Sequence, residues 1–391
     1  MPPAFLQDPG LGAVLAAIPD ARVVGGAVRD ALAGRKVADV DLATPLPPHE
    51  VAERLERAGI RAVPTGIDHG TVTAVTASGP IEITTLRRDE ATDGRHATVA
   101  FTRDWKEDAA RRDFTINAMS MAPDGTLYDY FGGADDLRAG RVRFVGEAAR
   151  RIAEDYLRIL RFFRFWARYG TGDPDPDAGA AIAAGVSGLS ILSPERVWSE
   201  LKRILAAPDP MRAVALMAEL GVLAAVLPGG ADPAALAALV ASGAPADPLL
   251  RLAALAQGGP DDLADRLRLS NDERDRLAAL RDTAVPRPDS DDAALRRALA
   301  DTPADILIGR SWLHGGGGPD WGSLRARLAA MPQPVFPLSG RDVVALGIPP
   351  GPAVGEALRA VRAWWLDDGC QADAQACTAE LARQLALRQG R

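Results

Sequence analysis

The sequence predicts an α+β protein, with a small mixed head at its N-terminal end and helices throughout the remainder. Three observations carry this reading. Short β-branched runs such as Thr71–Thr76 and Ile81–Thr85 are confined to the first 145 or so residues. Beyond that point the pattern is helical, with starts marked by Ser193-Pro194, Asp232-Pro233 and Asp247-Pro248, each a capping residue followed by proline at the first helical position. Aromatic residues make up only 5% of the chain while alanine dominates its apolar content, a balance that favours helices over sandwiches.

In chain order, the patterning predicts strands at 21–24, 39–43, 60–64, 70–76 and 80–86, with a hairpin turn at Ser78-Gly79-Pro80. Helices fit 27–33, 48–58 and 113–120. The segment 87–107 is polar, charged and without periodicity, and reads as a mobile loop. Gly, Pro and Asp clusters at 170–178, 227–233, 242–248 and 257–261 separate the later helices, and the glycine run 315–318 opens a loop. The expected organisation is a head over 1–145, a helical neck over 146–205 and a helical body and tail over 206–391.

The most informative stretch is Val23–Asp30, followed by Asp39-Val40-Asp41. A hydrophobic strand runs into two glycines and then a helix start carrying Arg29. Glycines there let backbone N–H groups approach a phosphate, and Gly26 with Arg29 is suited to hold a triphosphate. A dinucleotide-binding turn is disfavoured, because the third glycine of G-x-G-x-x-G is missing. If 39–43 is a strand, Asp39 and Asp41 share one face and can hold a divalent metal; Mg²⁺ suits hard carboxylate oxygens. Glu82, on the strand over 80–86, is a candidate third carboxylate. A phosphate cradle beside paired carboxylates is equipment for phosphoryl or nucleotidyl transfer.

The net charge of −7 disfavours indiscriminate nucleic-acid binding, yet eight arginines against three acids lie between Arg141 and Arg168. Within that band Glu154, Asp155, Arg158, Arg161 and Arg164 read as one face of one helix, either a ladder of salt bridges or a ligand-binding row. No run of eighteen apolar residues and no secretory pattern appears, so a cytoplasmic protein without a membrane partner is expected. Cys370 and Cys377 lie far from any histidine and suggest neither zinc nor a disulfide framework. His69 reads as a turn residue rather than a catalytic base.

Several ordered segments resemble the motifs of the class II tRNA nucleotidyltransferase and poly(A) polymerase family. They are GGAVRDALAGR with ADVDLAT, RRDFTINAM at 111–119, EDYLRILRFFRF at 154–165 and SPERVWSELKRIL at 193–205. PLSGRDVVALGIPPGPAVGEAL at 337–358 is similar to the tail of bacterial members. The resemblance implies a DNA polymerase β-like head and the template-independent addition of the 3′-terminal CCA to tRNA from CTP and ATP, with no role for DNA. It implies that Glu82 helps to activate the primer hydroxyl, that Arg112 meets the nucleotide phosphates and that Asp113 meets the ribose. Asp155 and Arg158 would read the base, with Arg161 and Arg164 on the same helix binding the nucleotide. It also implies that the region 87–107 takes part in the switch from C to A addition. Ala38 departs from the family, which usually carries a polar or basic residue before the first aspartate. Poly(A) polymerase, a CC-only or A-only enzyme, and a non-catalytic RNA-binding protein are the competing readings. The run Thr65–Thr73 resembles CCA-adding members rather than bacterial poly(A) polymerases.

Overall fold

The computed structural model describes residues 3–66, 70–92 and 97–389. It divides into two units, Met1–Pro228 and Gly229–Arg391. His69 and the segment Asp93–His96 lie outside the described residues.

The first unit is built on a seven-stranded sheet. Its strands are β1 (Arg22–Val24), β2 (Asp41–Thr44), β3 (Arg61–Gly66), β4 (Thr71–Thr76), β5 (Gly79–Thr85), β8 (Met119–Met121) and β9 (Leu127–Asp129). They are ordered β3-β4-β5-β2-β1-β8-β9, and only β2 and β5 run parallel. Strand alternation sorts the side chains onto two faces. Val23, Leu42, Val72, Ala74, Ile81 and Ile83 point to one face, where α1 (Pro9–Ala17), α2 (Gly26–Leu32) and α3 (Pro48–Arg57) cover them with Leu11, Val14, Val28, Val51 and Leu55. Asp41 and Glu82, one residue out of phase with Leu42 and Ile83, therefore lie on the opposite face, and they are direct register partners across β2 and β5.

Three expectations are corrected here. The segment 87–107 is not a structureless loop: β6 (Arg87–Thr92) and β7 (Ala97–Phe101) pair as a separate antiparallel ribbon, and α4 (Trp105–Ala110) follows. Among the described residues these strands pair with each other and not with the seven-stranded sheet, and the sequence over 87–101 has no apolar alternation that would announce them. The span 113–120 is not a helix but a short 3₁₀ turn, Thr115–Asn117, leading into β8. Strand β2 begins at Asp41, so Asp39 lies in the preceding connection rather than on the strand.

After α5 (Gly133–Arg138), the predicted neck begins with α6 (Ala148–Glu154) and α7 (Leu157–Tyr169). The single helix expected to carry Glu154 through Arg164 is broken at Asp155, whose φ of −158° and ψ of 107° are extended. The Asp155 carboxylate accepts the Leu157 N–H at 3.1 Å, just ahead of α7. The rings of Phe114, Phe144, Phe162 and Phe165 pack together, with Phe114 and Phe144 at 4.8 Å and Phe114 and Phe165 at 5.3 Å between centroids. These contacts fasten α7 to the turn after Asp113. Next come α8 (Pro176–Gly185) and α9 (Pro194–Leu205), the latter buried through Val197, Trp198, Leu201, Ile204 and Leu205.

Among the described residues of the second unit, the named elements are all helices. Asp232 and Asp247 cap helices by accepting the Ala235 and Leu250 N–H groups, each with proline at the start. Leu295, Leu299, Leu307, Leu324 and Leu328 form one core cluster, and Val343, Val361, Trp365, Cys377 and Leu381 another.

Candidate active site

A cavity of about 420 Å³ lies on the side of the sheet that carries Asp41. Its lining brings together Gly25, Gly26 and Arg29 from the start of α2, Asp41 from β2, Arg112, Asp113 and Asn117 from the turn before β8, Asp155, Arg158, Arg161 and Phe165 from the neck, and Arg196 from α9, with Arg111 at its edge. Six arginines thus face three aspartates, a net positive site sized for a nucleotide.

The local sequence explains the shape at the glycine pair. Gly25 has φ of 67°, a conformation that L side chains rarely adopt, and a Cβ there would come within 3.1 Å of an Arg112 guanidinium nitrogen. Glycine at this position turns the chain from β1 into α2 and leaves room for Arg112. Arg29, on the first turns of α2, donates to Asn117 Oδ1 at 2.6 Å and to both Asp30 oxygens at 3.1–3.2 Å.

Asp113 is buried and held at both carboxylate oxygens. Its Oδ1 accepts from the Phe114 N–H at 2.9 Å and from Asn117 Nδ2 at 3.0 Å, and its Oδ2 accepts from Arg161 Nε at 2.7 Å. Burial alone would push this carboxyl up. The Arg161 guanidinium, the Asn117 amide and the Phe114 N–H outweigh that effect and hold it below the usual carboxylate range. Arg112 pairs with buried Asp108 at 3.2 Å, which orients it while leaving it in the cavity wall.

Asp41 shows the opposite balance. Desolvation pushes its carboxyl up, Glu82 raises it further by like charge, Arg112 pulls it back, and Asp39 adds a smaller upward push. Crowded carboxylates of this kind are relieved by a divalent cation, so Asp39 and Asp41 fit one chemically. Among the described residues, no three Asp, Glu, His or Cys side chains form a metal-ligating group. The pair would leave further coordination to substrate phosphate and water, the habitual shell of Mg²⁺.

The predicted residues do not all line the cavity. Asp39 lines a neighbouring one of about 320 Å³ with Val37, Ala38, Val40, Ser78 and Pro80. Glu82 is beside Asp41 on the sheet but outside the lining. Arg164 turns away: it pairs with buried Glu200 at 3.1 Å, and burial pushes its guanidinium down to about 10 despite that partner. Asp155 and Arg158 both line the cavity, but not as neighbours on one helix. Arg158 Nη1 donates to Glu154 Oε2 and to the Arg151 carbonyl, at 2.6 and 2.7 Å. Asp155 is held by Arg196 at 2.8 Å. Residue patterns had singled out neither Arg111 nor Arg196 nor Phe165. Arg196 stood unassigned inside SPERVWSELKRIL, and Phe165 is four residues beyond Arg161 on the same helical face.

Known proteins resemble this chain over most of its length. Residues 21–143 match the poly A polymerase head domain, and 173–232 match the probable RNA and SrmB-binding site of polymerase A. The mouse mitochondrial CCA tRNA nucleotidyltransferase 1 is 39% identical over 368 residues, covering 89% of this chain and 83% of the mouse protein. The chain belongs to the CCA tRNA nucleotidyltransferase family. The CCA-adding enzyme of Geobacillus stearothermophilus, another member, is 35% identical over 372 residues, covering 88% of this chain and 87% of its own length. A crystal structure of Bacillus stearothermophilus CCA-adding enzyme in complex with CTP superposes with a TM-score of 0.78 at 29% identity, over 98% of this chain and all of that one. The Thermotoga maritima CCA-adding enzyme complexed with tRNA shares the fold at 22% identity, with a TM-score of 0.65. The family's head match encloses Gly26, Arg29, Asp39, Asp41, Glu82, Arg112 and Asp113 together.

Proposed function

We propose that the protein adds the 3′-terminal CCA to immature tRNA, taking CTP and ATP as substrates and releasing pyrophosphate. The observation that carries this reading is the convergence of Asp41, the glycine turn and six arginines on one nucleotide-sized cavity. In the reaction, the 3′-oxygen of the tRNA bonds to the α-phosphorus, the bond to the β-phosphate oxygen breaks, and the hydroxyl proton leaves to a base. Arg29 and Arg112 hold the triphosphate at the turn formed by Gly25 and Gly26. Asp113, fixed by Arg161 and Asn117, presents an acceptor to the ribose hydroxyls, which favours ribonucleotides. Glu82 stands beside Asp41 to take up the proton of the attacking hydroxyl. Divalent metal, as Mg²⁺ held by Asp39 and Asp41, supplies charge neutralisation for the attacking and leaving oxygens when bound.

Asp155 and Arg158 select the base. Cytosine and adenine each offer an amine donor beside a ring-nitrogen acceptor; a carboxylate accepts the first and a guanidinium donates to the second. Uracil and guanine reverse both groups. Arg161 supports this site through Asp113, and Arg164 supports α7 from beneath through Glu200.

By the same proposal, 1–145 is the catalytic head, 146–205 the nucleotide-selecting neck and 206–391 the tRNA-holding body and tail. No helix among the described residues is long and apolar enough to cross a membrane. A cytoplasmic location completes the proposal; the mouse and human relatives are named mitochondrial, so cell fractionation tests it.

The decisive assay offers the protein three tRNAs, one lacking CCA, one ending in C and one ending in CC, with each labelled nucleotide in turn. Sequenced products ending in CCA from all three support the proposal. Runs of A would indicate a poly(A) polymerase, arrest after CC a CC-only enzyme, and no incorporation a binding protein.

A further inference from the structure

Helix α7 carries Arg161, Phe165 and Tyr169 at steps of four residues, so the three side chains form a single stripe along its face. Arg161 reaches Asp113, as described above. Tyr169, two turns further on, donates its hydroxyl hydrogen to Asp30 Oδ1. Asp30 accepts both Nε and Nη2 of Arg29, whose remaining terminal nitrogen donates to Asn117. Asn117 in turn donates to Asp113 at 3.0 Å. The contacts therefore close a ring that runs from α7 through Asp113, Asn117, Arg29 and Asp30 and back to α7 at Tyr169. The Arg29 guanidinium also lies 4.6 Å from the Tyr169 ring centre and 5.1 Å from that of Phe165. Tyr169 is 7% exposed and does not line the nucleotide cavity, whereas Arg29 does.

We propose that Tyr169 is a positioning residue for nucleotide binding, acting through Asp30 to fix the Arg29 guanidinium in the cavity wall. A guanidinium on a flexible stem binds phosphate well only when its orientation is set beforehand. Asp30 sets it by gripping two nitrogens, and Tyr169 sets Asp30. Partial burial makes this effective: the Asp30 side chain is 16% exposed, so water replaces a lost hydroxyl donor poorly. Both nucleotides present the same triphosphate, so the effect belongs equally to CTP and ATP. The inference rests on the nucleotidyltransferase reading of the cavity.

The test uses the full-length protein and Tyr169→Phe, which keeps the ring over Arg29 and removes only the hydroxyl. Three quantities are measured: equilibrium binding of CTP and ATP by calorimetry, KM and kcat for single-nucleotide addition, and Tm. The expected result is a threefold to tenfold weaker binding of both nucleotides, about one lost hydrogen bond, with a matching rise in KM and kcat within about twofold. In an Arg29→Lys background, which cannot present the same fork to Asp30, adding Tyr169→Phe should change binding by less than about twofold. Full retention of affinity in Tyr169→Phe would overturn the role, as would an equal loss in both backgrounds or a fall in Tm and kcat with KM unchanged. A wild-type protein that binds CTP with Tyr169 dependence but adds nothing to tRNA would refute the proposed activity and leave this role standing; one that binds neither nucleotide refutes both.

Discussion

Arg196 Nη2 stands 2.8 Å from Asp155 Oδ2, although forty-one residues separate them in the chain. With the Leu157 N–H on the other oxygen, both lone-pair faces of Asp155 are directed by the protein. A carboxylate fixed in this way is poised to accept a base amine and to repel a base carbonyl. Asp155→Ala should therefore relax the rejection of UTP and GTP, from a factor on the order of 10⁴ to one on the order of 10–100, with a slower rate for CTP and ATP. Arg196→Ala should relax it less, since the carboxylate survives and only its orientation is loosened. Incorporation of all four nucleotides on matched tRNA ends measures both effects. Unchanged preference with lowered Tm would make the pair a structural salt bridge.

The crowding of Asp41 by Glu82 and Asp39 leads to a second prediction. Asp39→Ala and Asp41→Ala should each lower C and A incorporation by at least on the order of 10²–10³, because charge developing at the transferred phosphate goes uncompensated. tRNA binding, measured by filter retention, should change little. Chelation of divalent metal should abolish incorporation by the wild type, and added Mg²⁺ should restore it. Near-normal incorporation by both variants would remove these aspartates from the site.

The ribbon formed by β6 and β7 supports a third prediction. It pairs with itself rather than joining the seven-stranded sheet, so it can be altered without cutting the core. Removing part of 90–104 should depress terminal A addition much more than C addition, by about tenfold or more, if the ribbon serves the switch between nucleotides. Single-turnover rates on tRNA ending in C and in CC decide it. Equal losses would point to a general defect in binding or folding.

The parts of the site that were legible in the sequence are those fixed by local chemistry. Gly25-Gly26 had to be a turn, and Asp41 and Glu82 could be placed on β strands because alternation with Leu42 and Ile83 assigns their face. What escaped depends on partners distant in the chain. Residues 113–120 have an acceptable helical pattern, but Asp113 is captured by Arg161, forty-eight residues away, and the backbone follows that anchor into a 3₁₀ turn. The helical spacing from Glu154 to Arg164 concealed the break at Asp155. An aspartate whose side chain accepts a backbone N–H two residues on is the one local signal of the break. No periodicity could connect Arg196 to Asp155, and nothing local distinguished Arg164, turned to Glu200, from Arg161 on the same helix.

The last prediction concerns acid stability and follows from Asp113. Its carboxyl is held below the ordinary value of 3.8 because Arg161, Asn117 and the Phe114 N–H outweigh the cost of burial. Asp108, buried beneath Arg111 and Arg112, is lowered by a similar contest between desolvation and two guanidinium groups. A folded-state value below the unfolded one means that the unfolded chain binds the proton more readily. The resulting stabilisation is fully present above the unfolded value near 3.8 and is lost as pH falls through the lower folded values. Tm should consequently stay level between about pH 6 and pH 5 as far as these two groups are concerned, then fall steeply below about pH 4. Asp113→Asn removes the titrating group and leaves Arg161 facing a neutral amide, so it should start from a lower Tm and decline less steeply in acid. Thermal melts followed by circular dichroism across that range make the comparison. Parallel acid limbs for wild type and variant would show that Asp113 carries no pH-linked stability and that its pairing with Arg161 is offset elsewhere.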